Sequence, residues 1–144
     1  MVSKYNESIK QRLLDFTNNI QKLNMKFISN DFRNIDLSYL GESDFVYIDP
    51  PYLITTASYN ENGGWTNKDE KELYNLLDKL NNKNIKFAFS NVIVHKGNEN
   101  TTLIEWSKKY NTHMLNMRYD NTWGATRKKE SKANKTIEVL ITNY

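Results

Sequence analysis

Four consecutive residues, Asp49-Pro50-Pro51-Tyr52, have the types and order that could handle an aromatic amine. An exocyclic amino group conjugated to a purine or pyrimidine is a weak nucleophile. A catalyst that methylates it must accept hydrogen bonds from its two hydrogens and aim its lone pair at the methyl donor. The Asp49 carboxylate is one acceptor and the Pro50 carbonyl another, and Pro50 has no N–H to intrude. Tyr52 can stack on the face of a base, the contact used by enzymes that act on a flipped nucleotide. The plainer alternative for the same four residues is a strand ending in a proline-stiffened turn.

Such a group needs a rigid support. Phe45-Val46-Tyr47-Ile48 is a short run of β-branched and aromatic residues stopped by proline, so it reads as a buried strand with Asp49 at its carboxyl end. Open α/β sheets place their ligands at that end. Downstream, Thr66 or Asn67 can cap a helix with Asp69 and Glu70 in its first turn, a buried face of Leu73, Leu76, Leu77 and Leu80, and an end at Asn81 to Asn84. Ile85 to Phe89 is a second apolar strand running into Ser90-Asn91-Val92. Strand, helix and strand make one βαβ unit with a right-handed crossover.

Ahead of this unit, Ile9, Leu13, Phe16, Ile20 and Leu23 recur at spacings of three and four and predict a helix from Ser3 to about Leu23. Met25 to Ile28 reads as a short strand leading into Asn30-Asp31-Phe32-Arg33. Behind the unit, Lys96 to Asn100 is a turn, and Asn100 or Thr101 caps a helix through Tyr110 with Leu103, Ile104 and Trp106 inward. Met114 to Tyr119 and Thr136 to Thr142 alternate well enough to be an antiparallel pair of strands. Two stretches have a loop's composition. Leu53 to Thr66 carries Tyr59 and Trp65, aromatics that could close over a flipped base or equally anchor the loop to the core. Asn121 to Lys135 carries Gly124, Arg127, Lys128, Lys129, Lys132 and Lys135, either a solvated basic loop or a phosphate contact beside a base pocket.

A chain of 144 residues can form one domain with a proper core and is too short for two. Lys and Arg number 20 against 17 Asp and Glu, so the net charge of +3 is mild and any surface for nucleic acid must be local. The absence of cysteine excludes disulfides and thiolate metal sites and fits a reducing interior. Met1 to Asn6 lacks an apolar signal core, and no apolar run approaches the roughly 20 residues of a membrane span, so the expected location is the cytoplasm. His95 and His113 have no ligand-like spacing, and no metal is expected.

Five segments, taken in order, resemble the carboxyl-terminal half of the Dam-like adenine-N6 DNA methyltransferases. They are Asn30 to Arg33, Phe45 to Tyr52, Phe87 to Val92, Gly124 to Lys129 and Glu138 to Tyr144. The resemblance implies an α/β fold, an incomplete Rossmann-like S-adenosylmethionine methyltransferase sheet with the third to seventh strands, the last pair antiparallel, and flanking helices. It implies that residues 1–24 close a target-recognition region and that 25–144 are a partial catalytic domain. The implied activity is direct methyl transfer from S-adenosylmethionine to the adenine amino group of double-stranded DNA. Asp49, Pro50 and Tyr52 would be catalytic, while Asp31, Phe32 and Asp49 would meet the cofactor, Asp31 accepting from its adenine amino group and Phe32 packing on its ring. Pro51, Tyr59, Trp65, Arg127, Lys128 and Lys129 would face the DNA. Read without the resemblance, Asp31 and Phe32 are an acidic turn and a core phenylalanine.

None of the five glycines, Gly41, Gly63, Gly64, Gly97 and Gly124, forms the Gly-x-Gly loop that this family uses for its cofactor. In the family's strand order the first and second strands lie between the third and fourth, so without them the strand ending at Asp49 has an unpaired, apolar edge. Such a chain is expected to be part of a methyltransferase that needs a complementing subunit with the glycine loop. Alternatively it is a catalytically inactive, self-associating module that binds bases or DNA. Related tetrapeptides also serve enzymes acting on cytosine, RNA or protein amides, but Asp49 and the downstream matches favour DNA adenine.

Overall fold

The computed structural model describes residues 6–55, 64–115 and 135–144. The chain divides into two compact units, Met1–Ile35 and Asp36–Tyr144. Among the described residues no helix is long and apolar enough to cross a membrane.

In the first unit, α1 (Glu7–Lys22) is the helix predicted by the three-four spacing, capped by Asn6, whose side chain accepts from the Ile9 N–H at 2.9 Å. Met25 to Ile28, expected as a strand, is not one, and Phe27 is 78% exposed. A strand needs a hydrogen-bonded neighbour to satisfy its backbone. In the expected order a third strand pairs with one of the first two, and no described segment takes that place. The chain instead makes a single 3-10 turn at Phe32–Asn34 with Asp31 as its cap.

The second unit is built on a sheet. Its strands are β1 (Phe45–Ile48), β2 (Lys86–His95), β3 (Asn98–Glu99), β4 (Asn111–Leu115) and β5 (Thr136–Thr142), in the order β1-β2-β5-β4 with β3 paired to the end of β2. β1 and β2 are parallel and joined by α2 (Asn67–Asn82), the expected βαβ unit. β5 runs antiparallel to both β2 and β4. Among the described residues β1 pairs with β2 alone, which makes it an edge strand, with Phe45 54% and Tyr47 60% exposed.

Three boundaries differ from expectation. β2 continues past Phe89 to His95 because β5 pairs with it along that length, across an irregularity between Val92 and Val94. It then turns through Lys96 and Gly97, both at positive φ, the conformation a two-residue hairpin needs and the reason a glycine serves there. β4 begins at Asn111 rather than Met114, and residues 116–119 lie outside the described part. The helix expected through Tyr110 is α3 (Thr101–Ser107), closed by tightened bonds from Lys108 N to Glu105 O and from Tyr110 N to Ser107 O.

Helix α2 is held at both ends. Thr66 and Asp69 form a reciprocal capping box. At the far end Asn84 adopts φ 57, while Asn84 N bonds Asn81 O and Ile85 N bonds Leu80 O, a Schellman closure that turns the chain into β2. Leu73, Tyr74, Leu77 and Leu80 of α2 and Leu103 of α3 form the core with Phe87, Phe89, Val139 and Ile141 of the sheet. Trp106 stacks on Tyr74 with centroids 4.5 Å apart, so the inward expectation for it holds.

Within this core lies a carboxylate. Glu70 is 1% exposed, and its Oε1 accepts from the Tyr74 hydroxyl at 2.6 Å, Asn100 Nδ2 at 2.9 Å and Asn91 Nδ2 at 3.2 Å. One oxygen thereby ties α2, β2 and the cap of α3 together. Burial and the Glu70 hydrogen bond push the Tyr74 phenol far above its ordinary pKa. Glu70→Ala leaves a hydroxyl and two amides without their acceptor. A loss of about 3 kcal/mol in unfolding free energy is expected by chemical denaturation, with Glu70→Gln losing less. An unchanged denaturation midpoint for Glu70→Ala would show the network to be dispensable.

Candidate active site

The parallel register that pairs Ile48 with Phe89 puts the next residues, Asp49 and Ser90, side by side. Alternation along β2 sends Phe89 and Asn91 toward α2 and α3, so Ser90 projects from the opposite face, the one that bears Tyr47 and Asp49. There the Ser90 hydroxyl donates to Asp49 Oδ1 at 2.8 Å, and the Tyr52 hydroxyl donates to the same oxygen at 3.0 Å. The Tyr47 hydroxyl donates to Ser90 Oγ at 3.3 Å. Asp49 Oδ2 and the Pro50 carbonyl accept no hydrogen bond among the described residues.

Tyr52 is set by the turn that the prolines start. Its carbonyl accepts from both the N–H and the hydroxyl of Thr55, at 3.2 and 3.1 Å. Partial burial, then the hydrogen bond to Asp49, pushes the Tyr52 phenol up to about 12, an effect that Ser90 partly opposes. The phenol is therefore a neutral donor at any ordinary pH.

Asp31 and Phe32 belong to the first unit. Asp31 Oδ1 caps the Arg33 N–H at 2.9 Å, and Arg33 Nη1 reaches the two carboxylate oxygens at 3.1 and 2.9 Å. The Arg33 guanidinium also lies 4.5 Å from the Phe32 ring centroid. In kind, a carboxylate beside an aromatic ring fits the adenine end of a nucleoside cofactor, an acceptor for the amino group and a face for the base. Arg33 covers both groups. A surface ion pair of this sort contributes at most about 1 kcal/mol, so a ligand can displace it.

The structure thus brings Asp49, Pro50, Pro51 and Tyr52 together and adds Ser90 and Tyr47, which carried no role in the sequence analysis. Their signal was a serine interrupting the apolar run of a strand parallel to the one that ends in Asp49. Trp65 is half-buried just ahead of α2. Tyr59, Arg127, Lys128 and Lys129 lie outside the described residues. His95 and His113 approach different threonines, Thr136 and Thr142, and no metal-binding cluster of three ligands occurs among the described residues.

A βαβ unit followed by an antiparallel final pair, with an acid-proline-proline-tyrosine turn at the carboxyl end of its first strand, defines an α/β protein of the methyltransferase class. The family model described as D12 class N6 adenine-specific DNA methyltransferase matches residues 2–121, and the chain belongs to that family. It is 44% identical over 146 residues to the type II methyltransferase M.FokI of Planomicrobium okeanokoites. It is 41% identical over 148 residues to the modification methylase StsI of Streptococcus sanguinis, and 34% identical over 146 residues to the modification methylase LlaI of Lactococcus lactis subsp. lactis. Each match covers 99% of this chain, and the chain spans 22% of the length of each of these curated relatives.

The raised Tyr52 pKa has a measurable consequence. The folded state holds the phenolic proton more tightly than the unfolded one, so this stabilisation is complete below pH 10 and is lost as pH rises from 10 through about 12. The difference in phenolate absorbance between the wild type and Tyr52→Phe is expected to titrate near 12, and the same difference taken in an Asp49→Ala background should move toward 10. A midpoint indifferent to Asp49 would refute their coupling.

Proposed function

We propose that this chain is the base-orienting part of a site-specific adenine-N6 DNA methyltransferase, working with a complementing part that supplies a glycine-rich cofactor loop. The observation that supports this reading is the pairing of two acceptors without a donor among the described residues, Asp49 Oδ2 and the Pro50 carbonyl, at the end of β1 beside Tyr52. Acceptors without a competing donor are what an exocyclic amine with two hydrogens requires.

S-adenosylmethionine, when bound, supplies an electrophilic methyl group. The Asp49 carboxylate and the Pro50 carbonyl accept hydrogen bonds from the amine's two hydrogens, which draws its lone pair out of conjugation with the base and toward the methyl. Because Asp49 is exposed, the proton released from the amine has a route to solvent. Tyr52 stacks on the extruded adenine, Pro51, Tyr59 and Trp65 flank it, and Arg127, Lys128 and Lys129 hold phosphates of the duplex. Asp31 and Phe32 take the cofactor's adenine once Arg33 swings aside. Residues 1–24 then end a target-recognition region, residues 25–144 form the catalytic part, and the protein works in the cytoplasm. The one-sided pairing of β1 supports a partner, a complementing subunit or a second copy, that covers this edge.

Calorimetric titration with S-adenosylmethionine, run beside sedimentation to fix the oligomeric state, tests the first step. Methylation of duplex DNA is then measured with and without a separately expressed amino-terminal segment carrying a glycine-rich loop. Methyl transfer is expected in its presence, and Asp49→Ala is expected to lose about 10²–10³-fold or more with an unchanged circular dichroism spectrum. Transfer retained by Asp49→Ala would sink the mechanism. A stable homo-oligomer that binds DNA but never turns over would replace it with a non-catalytic binding module.

A further inference from the structure

A carboxylate on an exposed strand end rotates among staggered conformers unless neighbouring groups hold it. We propose that Ser90 is the positioning residue for Asp49, locking its carboxylate through Oδ1 so that Oδ2 alone is presented to the target amine. The proposal rests on the role given to Asp49 above and assigns the part of the site that keeps Asp49 in place.

Ser90 is suited to this by where it sits. It is 7% exposed, on a strand paired on both sides, with Tyr47 and Ala88 in register across β1 and Leu140 opposite Ser90 itself on β5. The next residue, Asn91, is bonded on the other face to the buried Glu70. The Ser90 backbone therefore has nowhere to go. Its single hydroxyl hydrogen has three acceptors in reach, Asp49 Oδ1 at 2.8 Å, Ile48 O at 3.3 Å and the Tyr52 hydroxyl oxygen, and the short contact to the charged oxygen prevails. The Tyr47 hydroxyl enters Ser90 Oγ from behind, which occupies a lone pair and gives the chain of donors one direction, Tyr47 to Ser90 to Asp49.

Tyr52 also holds Oδ1 but differs in kind. It stands on a turn tied to Thr55, and its ring is the surface offered to the base, so its hydroxyl contact can change when a base enters. Ser90 meets no substrate group and keeps its contact throughout. The lock matters because a misplacement of about 1 Å in a reacting arrangement can cost on the order of 100-fold in rate.

The test uses Ser90→Ala, which removes the donor, and Ser90→Thr, which keeps a hydroxyl. Three-bond NMR couplings on the chain itself read the Asp49 χ1 conformer without any need for turnover. One conformer is expected in the wild type, averaging in Ser90→Ala, and a single conformer again in Ser90→Thr, with the thermal midpoints of both variants near that of the wild type. In the form that methylates DNA, Ser90→Ala is expected to lower kcat about tenfold to 100-fold while leaving KM for cofactor and for DNA unchanged, and Ser90→Thr to restore it. A single Asp49 conformer in Ser90→Ala overturns the proposal, as does full kcat in that variant when Asp49→Ala is inactive. Methyl transfer that survives Asp49→Ala overturns the underlying reading instead, and the couplings still decide whether Ser90 holds Asp49.

Discussion

The second unit depends on β2 being immovable. It is paired on both edges, with β1 on one side and β5 on the other, and its two faces carry different polar duties. Ser90 and Asn91 are consecutive, so a pleated backbone must send them to opposite faces. Asn91 is bound into the core by Glu70, which spans α2 and the cap of α3, and Ser90 reaches Asp49. Buried polar groups cost stability unless they are bonded, and here each bond also fixes a position. A displacement of β2 would disturb the Glu70 contacts and the Asp49 contacts together.

The Asp49 carboxylate is held through one of its two oxygens. Two hydroxyls converge on Oδ1, and among the described residues none donates to Oδ2. The separation works because the donors approach from the strand side and the turn side of a residue that is neither in the strand nor in the turn. In the first unit the equivalent groups are covered instead, with Asp31 and Phe32 both under Arg33. The Arg33 contact is a surface ion pair of the weak kind, whereas the Ser90 contact is anchored in a strand paired on both edges.

The one-sided pairing of β1 among the described residues is the other governing feature. An edge strand exposes unpaired backbone groups, and this one also carries Phe45 and Tyr47 more than half exposed. The antiparallel pairing of β4 with β5 is what the resemblance implied for the last pair of strands.

Much of the fold was readable locally. The three-four spacing of Ile9, Leu13, Phe16 and Ile20 marks α1, the proline stop marks the end of β1, and Thr66 with Asp69 marks the start of α2, because helical period, proline geometry and capping act over a few residues. The acceptor pair of Asp49 and Pro50 was legible for the same reason, being adjacent in the chain. Other features were decided by partners far away. Met25 to Ile28 has a strand's composition but no ladder to join. Glu70 reads in the sequence only as an acid in the first turn of a helix, and its burial goes with the amides that Asn91 and Asn100 bring to it. Ser90 belongs to the site only because the register of two parallel strands sets it beside a residue 41 positions earlier. The sequence alone determined which groups could do the chemistry and which segments could form helices and strands, since those are properties of neighbours. The tertiary structure alone decided which polar groups hold them, since a hydrogen bond across strands exists only once the register is chosen.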